Sequence, residues 1–313
     1  MTVKVAVVQP TPVFFDAQQG IDEAVQWIGR AGDADLIVLP EAYIGGYPWG
    51  LRFGTAVGGR SQAGRRAWER YRSNAVDVPG PVTERVGRAA KEAGAYVAVG
   101  VVERDSTYGG GTLFCTLLYF GPDGRLLGKH RKLKPTAAER LIWGEGDGST
   151  LPAFDTPFGT IGGLICWENY MPLARMAMYA KGVEIYLAPT ADARPRWQST
   201  LQHIALEGRC FVIGCNQFVR RDHYPDVEIQ DELDDWPQVL CVGGSSVYSP
   251  AGDCLAGPLE GESGILNVEL DMSAVGRSKF DFDVVGHYAR PDVFRLQVNE
   301  QPQPPVDFSG GPA

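Results

Sequence analysis

Residues 162–190 read GGLICWENYMPLARMAMYAKGVEIYLAPT: an apolar run, a segment with apolar residues three and four apart, then a second apolar run. The two outer runs are short, β-prone and closed by turn-forming residues, as strands are. The middle segment, 172–182, ends at Gly182, as helices often do. The stretch therefore spells strand, helix, strand. Cys166 stands where the first strand gives way to a Trp-Glu-Asn turn, so its sulfur is either core filling or a nucleophile.

The same alternation extends in both directions. VKVAVVQ (3–9), DLIVLPE (35–41), YVAVGVVE (96–103), CTLLYFGPDG (115–124), CFVIGCNQF (210–218), VGGSSVYSPAGD (242–253) and GILNVEL (264–270) read as further strands, and 21–31, 82–94 and 196–209 as helices. Turn dipeptides, as in FGPDGRLLGKH (120–130), predict local hairpins, so the sheets are expected to be mixed. With helices enough to cover one face of each of two sheets, the remaining faces must bury each other. The expected fold is α/β, a four-layer α-β-β-α sandwich of two mixed sheets flanked by helices. Residues 1–296 read as a single domain and 297–313 as a Pro/Gly-rich tail, expected to be flexible. The acidic segment 222–236 reads either as a solvated loop or as the rim of a site or subunit contact.

Composition narrows the function. Thirty-eight acidic against 29 basic residues leave a net charge of -9, which argues against a nucleic-acid partner, since neutralising phosphates needs a cationic face. No window approaches the roughly 18 apolar residues of a bilayer span, and the first strand begins without a signal-like segment, so no membrane association and a cytoplasmic location are expected. The six cysteines form no CxxC pair and read as reduced thiols, and the four histidines lack zinc-ligand spacing, so no metal is expected. The glycine clusters GGYPWG, TYGGGTLF and GEGDGST match neither a dinucleotide nor a phosphate loop, and no cofactor is expected.

Two more strand exits bear on Cys166. In DLIVLPEAYIGGYPWG (35–50), Glu41 follows an apolar run, and in RLLGKHRKLKPT (125–136), Lys132 follows a hairpin strand. Strand ends are where a rigid sheet holds a reactive group steady while the loop frees its side chain. A carboxylate, an ammonium and a thiol converging there are complementary: the ammonium favours thiolate and the carboxylate takes and returns protons. A helix starting just past Cys166 would add its amino-terminal dipole, and the backbone N–H of Trp167 would face charge developing on a substrate. The other five cysteines read as packed core, and His203 and His287 as structural.

PEAYIGGYPWG (40–50), HRKLKPTAAERLIWGEGDG (130–148) and the 162–190 stretch resemble the three signature regions of the nitrilase superfamily, and Cys166-Trp167-Glu168 resembles its nitrilase branch. WQSTLQHIALEGRCFV (197–212) and DFDVVGHYARPDVF (281–294) extend the likeness over nearly the whole chain. Carried across by position, the resemblance implies Glu41, Lys132 and Cys166 as the catalytic set and Glu139 as a second glutamate, either positioning Lys132 or acting on protons directly. Many relatives have a polar residue just before that second glutamate, where this chain has Ala137 and Ala138. The implied activity is hydrolysis of a small-molecule nitrile through a thioimidate and then a thioester on Cys166, without a cofactor. Tyr47, Trp49, Trp167 and Tyr170 are candidate walls of an apolar pocket, and Thr190 is also a candidate pocket residue. The resemblance further implies a homo-oligomer, built from dimers and extending to spirals. Two other readings stand beside it: an amidase or carbamoylase using the same thiol chemistry, and a non-catalytic scaffold with the same fold.

Overall fold

The computed structural model describes residues 1–306; the last seven residues of the tail expected to be flexible lie outside the described residues. In chain order the elements are β1 (Thr2–Gln9), α1 (Ala17–Arg30), β2 (Leu36–Val38), a small hairpin of β3 (Thr55–Ala56) and β4 (Gly59–Arg60), α2 (Gln62–Ser73), α3 (Pro81–Ala93), β5 (Tyr96–Arg104), β6 (Leu113–Phe120) and β7 (Leu126–Arg131). There follow β8 (Ala153–Thr156), β9 (Gly159–Gly163), α4 (Pro172–Ala180), β10 (Ile185–Pro189), α5 (Arg196–Gly208), β11 (Phe211–Cys215), β12 (Phe218–Arg220), β13 (Val239–Tyr248), β14 (Cys254–Glu260), β15 (Gly264–Asp271) and α6 (Ser273–Asp281). No helix among the described residues is long and apolar enough to cross a membrane.

Two sheets carry the fold. The first runs β15-β1-β2-β5-β6-β7, with β1, β2 and β5 parallel and the remaining pairings antiparallel. The second runs β12-β13-β11-β10-β9-β8 with β14 on β13, and its parallel centre is β9, β10 and β11. Period-two alternation explains the layering, because successive strand side chains point to opposite faces. Val3, Val5 and Val7 join Leu36, Val38, Ile185, Leu187 and Ile213 in one core between the sheets. Their neighbours Ala6, Val8 and Ile37 instead meet Ile21, Ile28 and Val86 of α1 and α3. Tyr186, Ala188 and Val212 meet Met178, Leu201 and Ile204 of α4 and α5. The layers are helix, sheet, sheet, helix, as the sequence predicts.

Several elements depart from the sequence reading. The sequence pattern does not predict helix α2, because four of its 12 residues are arginine, which hides the stripe Gly64, Ala67 and Tyr71 that it buries. Nor does it predict α6 or the β3-β4 hairpin. Residues before 307 in the tail also have partners: Lys181 pairs with Glu300, and Gln303 N–H donates to Asp147 at 2.7 Å. The acidic segment is tied down rather than free in solvent: Glu232 accepts from the backbone N–H groups of Arg52, Phe53 and Gly54 at 2.6, 3.1 and 2.8 Å.

Candidate active site

Both sheets supply the site. From the first sheet, Glu41 follows β2 and Lys132 follows β7; from the second, Cys166 follows β9. Lys132 is pinned by its own backbone, its N–H donating to Cys115 O at 2.8 Å and its carbonyl accepting from Gly146 at 2.9 Å. Gly100 lets β5 press against the Glu41 turn, since a Cβ there would lie 2.8 Å from Glu41 Cα. Three residues at or beside the candidate positions adopt left-handed backbone that L side chains rarely take: Ala42 (φ 47°), Ala137 (φ 46°) and Cys166 (φ 52°). Strain of this kind costs about 1–3 kcal/mol and persists only where surrounding structure enforces it. Cys166 opens the 3-10 turn Cys166–Tyr170, and Asn169 Nδ2 clamps that turn by donating to Leu164 O at 3.0 Å and Cys166 O at 2.8 Å.

Lys132 is the hub. Its Nζ donates to Glu41 Oε1 at 2.6 Å and to Glu139 Oε2 at 2.7 Å, with both carboxylates buried. Glu139 is itself held by the Tyr47 hydroxyl at 2.7 Å and by Thr136 N–H at 2.7 Å. Glu41 Oε1 also accepts from the Cys115 thiol at 3.5 Å, whereas Glu41 Oε2 is buried without a hydrogen-bond partner among the described residues. Cys166 Sγ accepts from the Thr190 hydroxyl at 3.1 Å, and Thr190 in turn accepts from Asp192 N–H at 2.9 Å.

Burial sets the protonation states. It would pull the Lys132 ammonium down, yet the charges of Glu41, Cys166 and Glu139 more than offset that and hold it well above its ordinary range. Burial raises the Glu41 carboxyl; Lys132 pulls it back and Glu139 pushes it up, leaving a base stronger than an ordinary glutamate. Burial, then the Glu41 charge, lifts the Cys166 thiol far above its usual range against the pull of Lys132. The sulfur therefore rests as a thiol beside a strengthened base and a fixed ammonium. The dipole expected from α4 is not the source of thiolate character: α4 starts only at Pro172, beyond the 3-10 turn, and the dipole's effect fades within one turn.

The remaining candidates divide. Thr190 and Tyr47 touch the cluster as described. Trp167 is 37% exposed, its indole N–H donating to Asp192 at 2.8 Å and its ring lying 4.8 Å under the Arg194 guanidinium. Its backbone N–H is the second of the 3-10 turn and has no acceptor within that turn. Tyr170 lies outside the cluster: its ring packs edge-on against Trp167 and Trp197, and its hydroxyl meets Thr200 on α5 at 2.9 Å. A cleft of 510 Å³ has Tyr47 and Glu139 among its lining, with Trp49, Asp231, Asp235 and Trp236. The acidic segment thus walls a cleft that reaches Glu139.

Replacing Thr190 by valine removes the hydroxyl that donates to the sulfur while keeping the branched shape. As the sulfur takes on negative charge during attack, that bond becomes one to a charged group, which contributes about 1.5–3 kcal/mol, so turnover is expected to fall about 10–100-fold with little change in folding, as steady-state rates and thermal unfolding will report.

Residues 4–280 match the carbon-nitrogen hydrolase family. A bifunctional nitrilase/nitrile hydratase of Lupinus angustifolius is 51% identical over 98% of this chain and 89% of its own. An aliphatic nitrilase of Sinorhizobium fredii (strain HH103) is 50% identical over 97% of each chain. In fold, the crystal structure of a carbon-nitrogen hydrolase from Helicobacter pylori G27 gives a TM-score of 0.73 over 93% of this chain and 97% of that one, at 17% identity. By family match and by identity sustained over nearly its whole length, the chain belongs to the carbon-nitrogen hydrolase family.

Proposed function

We propose that the protein is a nitrilase, converting a nitrile and two waters into a carboxylic acid and ammonia. The observation that carries the chemistry is Glu41, with one oxygen committed to Lys132 and Cys115 and the other buried and unpartnered. That free oxygen suits a proton acceptor. Half-identity to nitrilases over nearly the whole chain carries the choice of nitrile over other C–N bonds.

In this reading Cys166 Sγ bonds to the nitrile carbon as Glu41 takes the thiol proton and passes it to nitrogen, giving a thioimidate. Glu41 then takes a proton from water as it adds, while Lys132 and the Trp167 backbone N–H stabilise the charge that develops. Collapse of the tetrahedral centre expels ammonia and leaves a thioester, and a second water frees the acid and restores the thiol. If the same centre expels sulfur instead, an amide leaves, which fits relatives named bifunctional nitrilase/nitrile hydratase. Glu139 acts through Lys132, and the cleft beside Tyr47 is the approach for substrate.

Residues 1–296 are read as one catalytic unit. A homo-oligomer, which the family resemblance implies, belongs to the same reading, and light scattering measures the mass. The free, exposed Cys254 thiol suits the reducing cytoplasm.

Ammonia and acid release across aliphatic, dinitrile, aryl and arylacetonitrile panels tests the reading. Ammonia from amides and never from nitriles would overturn it in favour of an amidase.

The Cys115 contact has its own signature. Glu41 must be deprotonated to act, so the acid limb of the rate profile should lie above the ordinary glutamate value of about 4.3, because burial raises this carboxyl. The Cys115 S–H stabilises the charged form. Cys115→Ala is therefore expected to shift that limb to higher pH and Cys115→Ser to lower pH, measured as kcat/KM against pH.

A further inference from the structure

Cys166 belongs to one sheet, while Lys132 and Glu41 belong to the other. The core between the sheets is mostly apolar, and a few buried polar contacts also cross it: Ser245 to Gln9 Oε1, Cys215 Sγ to Val8 O and Val38 O, and Gln217 Nε2 to Glu41 O. One side chain bridges the backbone next to the thiol and the backbone next to the ammonium. Glu168, 1% exposed, accepts from Ile165 N–H through Oε2 at 2.7 Å and from Leu133 N–H through Oε1 at 2.6 Å. Ile165 immediately precedes Cys166 and Leu133 immediately follows Lys132. His130, fully buried, completes the arrangement: Nε2 meets Glu168 Oε2 at 2.9 Å and Nδ1 meets Thr150 O at 2.5 Å.

We propose that Glu168, held by His130, is a positioning strut that fixes the Cys166 sulfur against the Lys132 ammonium across the two sheets. The inference rests on Cys166 and Lys132 being the reacting groups. Neither strut residue hydrogen-bonds to Glu41, Lys132 Nζ or Cys166 Sγ; their bonds go to each other and to backbone. The chemistry requires an acceptor-only group. Two backbone N–H donors arrive on different oxygens, so an amide at position 168 must turn its NH₂ toward one of them and lose that tie. Both ring nitrogens of His130 face acceptors, and a carbonyl cannot donate, so Nδ1 carries a proton and the Nε2–carboxylate contact shares the other. Burial disfavours the imidazolium, but the Glu168 charge and hydrogen bond override it and raise His130 above its usual value. Tyr119 and Tyr186 face the pair, and both stay neutral because burial raises their phenols.

The experiment compares purified wild type, Glu168→Gln and Asp77→Asn. Asp77 is a half-buried carboxylate whose two oxygens hold Arg104 at the far end of β5 and touch none of the residues of the site, so its variant reports plain loss of stability. Two readouts are taken beside thermal unfolding: nitrile turnover, and the rate at which iodoacetamide alkylates Cys166, followed by peptide mapping. For Glu168→Gln, kcat is expected to fall about 10–100-fold with KM within about threefold, as for loss of an outer support, and alkylation to slow about tenfold. Asp77→Asn is expected to leave both readouts within about threefold.

Folded Glu168→Gln with both readouts near wild type overturns the strut, as does an equal loss in Asp77→Asn. Should Glu168→Gln not fold, His130→Gln, which spares both backbone ties, is read the same way: slowed alkylation supports the strut and unchanged alkylation overturns it. Alkylation needs no substrate. If wild type hydrolyses no nitrile yet the alkylation contrast holds, the functional reading fails and the strut stands; turnover without the contrast sinks the strut alone.

Discussion

Replacing Cys166 by alanine is expected to lower ammonia release from nitriles by about 10⁴-fold or more, since losing a nucleophile abolishes every later step. The acyl mass seen on the wild-type chain by intact-mass spectrometry during turnover should vanish with it. No other thiol is placed to substitute. Cys115 is the other thiol within reach of Glu41, but its S–H points at Glu41, and burial with that neighbouring charge holds it well above its ordinary range. Because the change removes one sulfur and leaves the ion cluster intact, thermal unfolding should move by only a few degrees. A wild-type chain carrying no adduct with any nitrile or amide would instead favour the scaffold reading.

Lys132→Ala is expected to be as damaging to activity and far more damaging to the fold. The ammonium lies 2.6 and 2.7 Å from two buried carboxylates, and its removal leaves Glu41 and Glu139 facing each other as like charges. Glu41, raised by burial and by the Glu139 charge, then loses the pull of Lys132 that keeps it ionised, so it holds its proton and loses its capacity as a base, while the developing charge on substrate loses its counter-ion. Turnover should drop about 10³–10⁵-fold, since removing a single preorganised donor alone costs about 10²–10³. Breaking a buried pair on one side typically destabilises by about 3–5 kcal/mol, which urea unfolding will measure. Lys132→Arg should not restore activity, because a planar guanidinium is not a substitute for a compact ammonium in a fully buried seat.

Glu41 and Cys166 were legible as exits of apolar runs and Lys132 as the exit of a hairpin strand, which are local patterns, while their grouping into one set came from the resemblance. The layering was legible because the chain carries helical segments enough to cover one face of each of two sheets, which leaves the other faces to bury each other. What remained hidden depends on contacts distant in sequence. Cys115 reads as core because Leu113, Leu117 and Tyr119 share its face, and that face is indeed the core between the sheets; the site is embedded in the same layer. His130 and Glu168 lie 38 residues apart and meet only once β7 and β9 are in place. Tyr170 reads as a pocket aromatic by proximity to Cys166, but the tight turn points it toward α5. The tie between Glu232 and Arg52–Gly54, which lets the acidic segment wall the cleft, spans 178 to 180 residues and left no local signature.

The protonated resting state of Cys166 bears on oxidative damage. Peroxide attacks thiolates, and it reaches exposed ones first. A sulfur only 4% exposed, whose proton stays on until a carbon electrophile arrives, is a poor target for it. The exposed Cys254, on β14 and remote in sequence from the Cys166 turn, is the thiol that oxidants meet first.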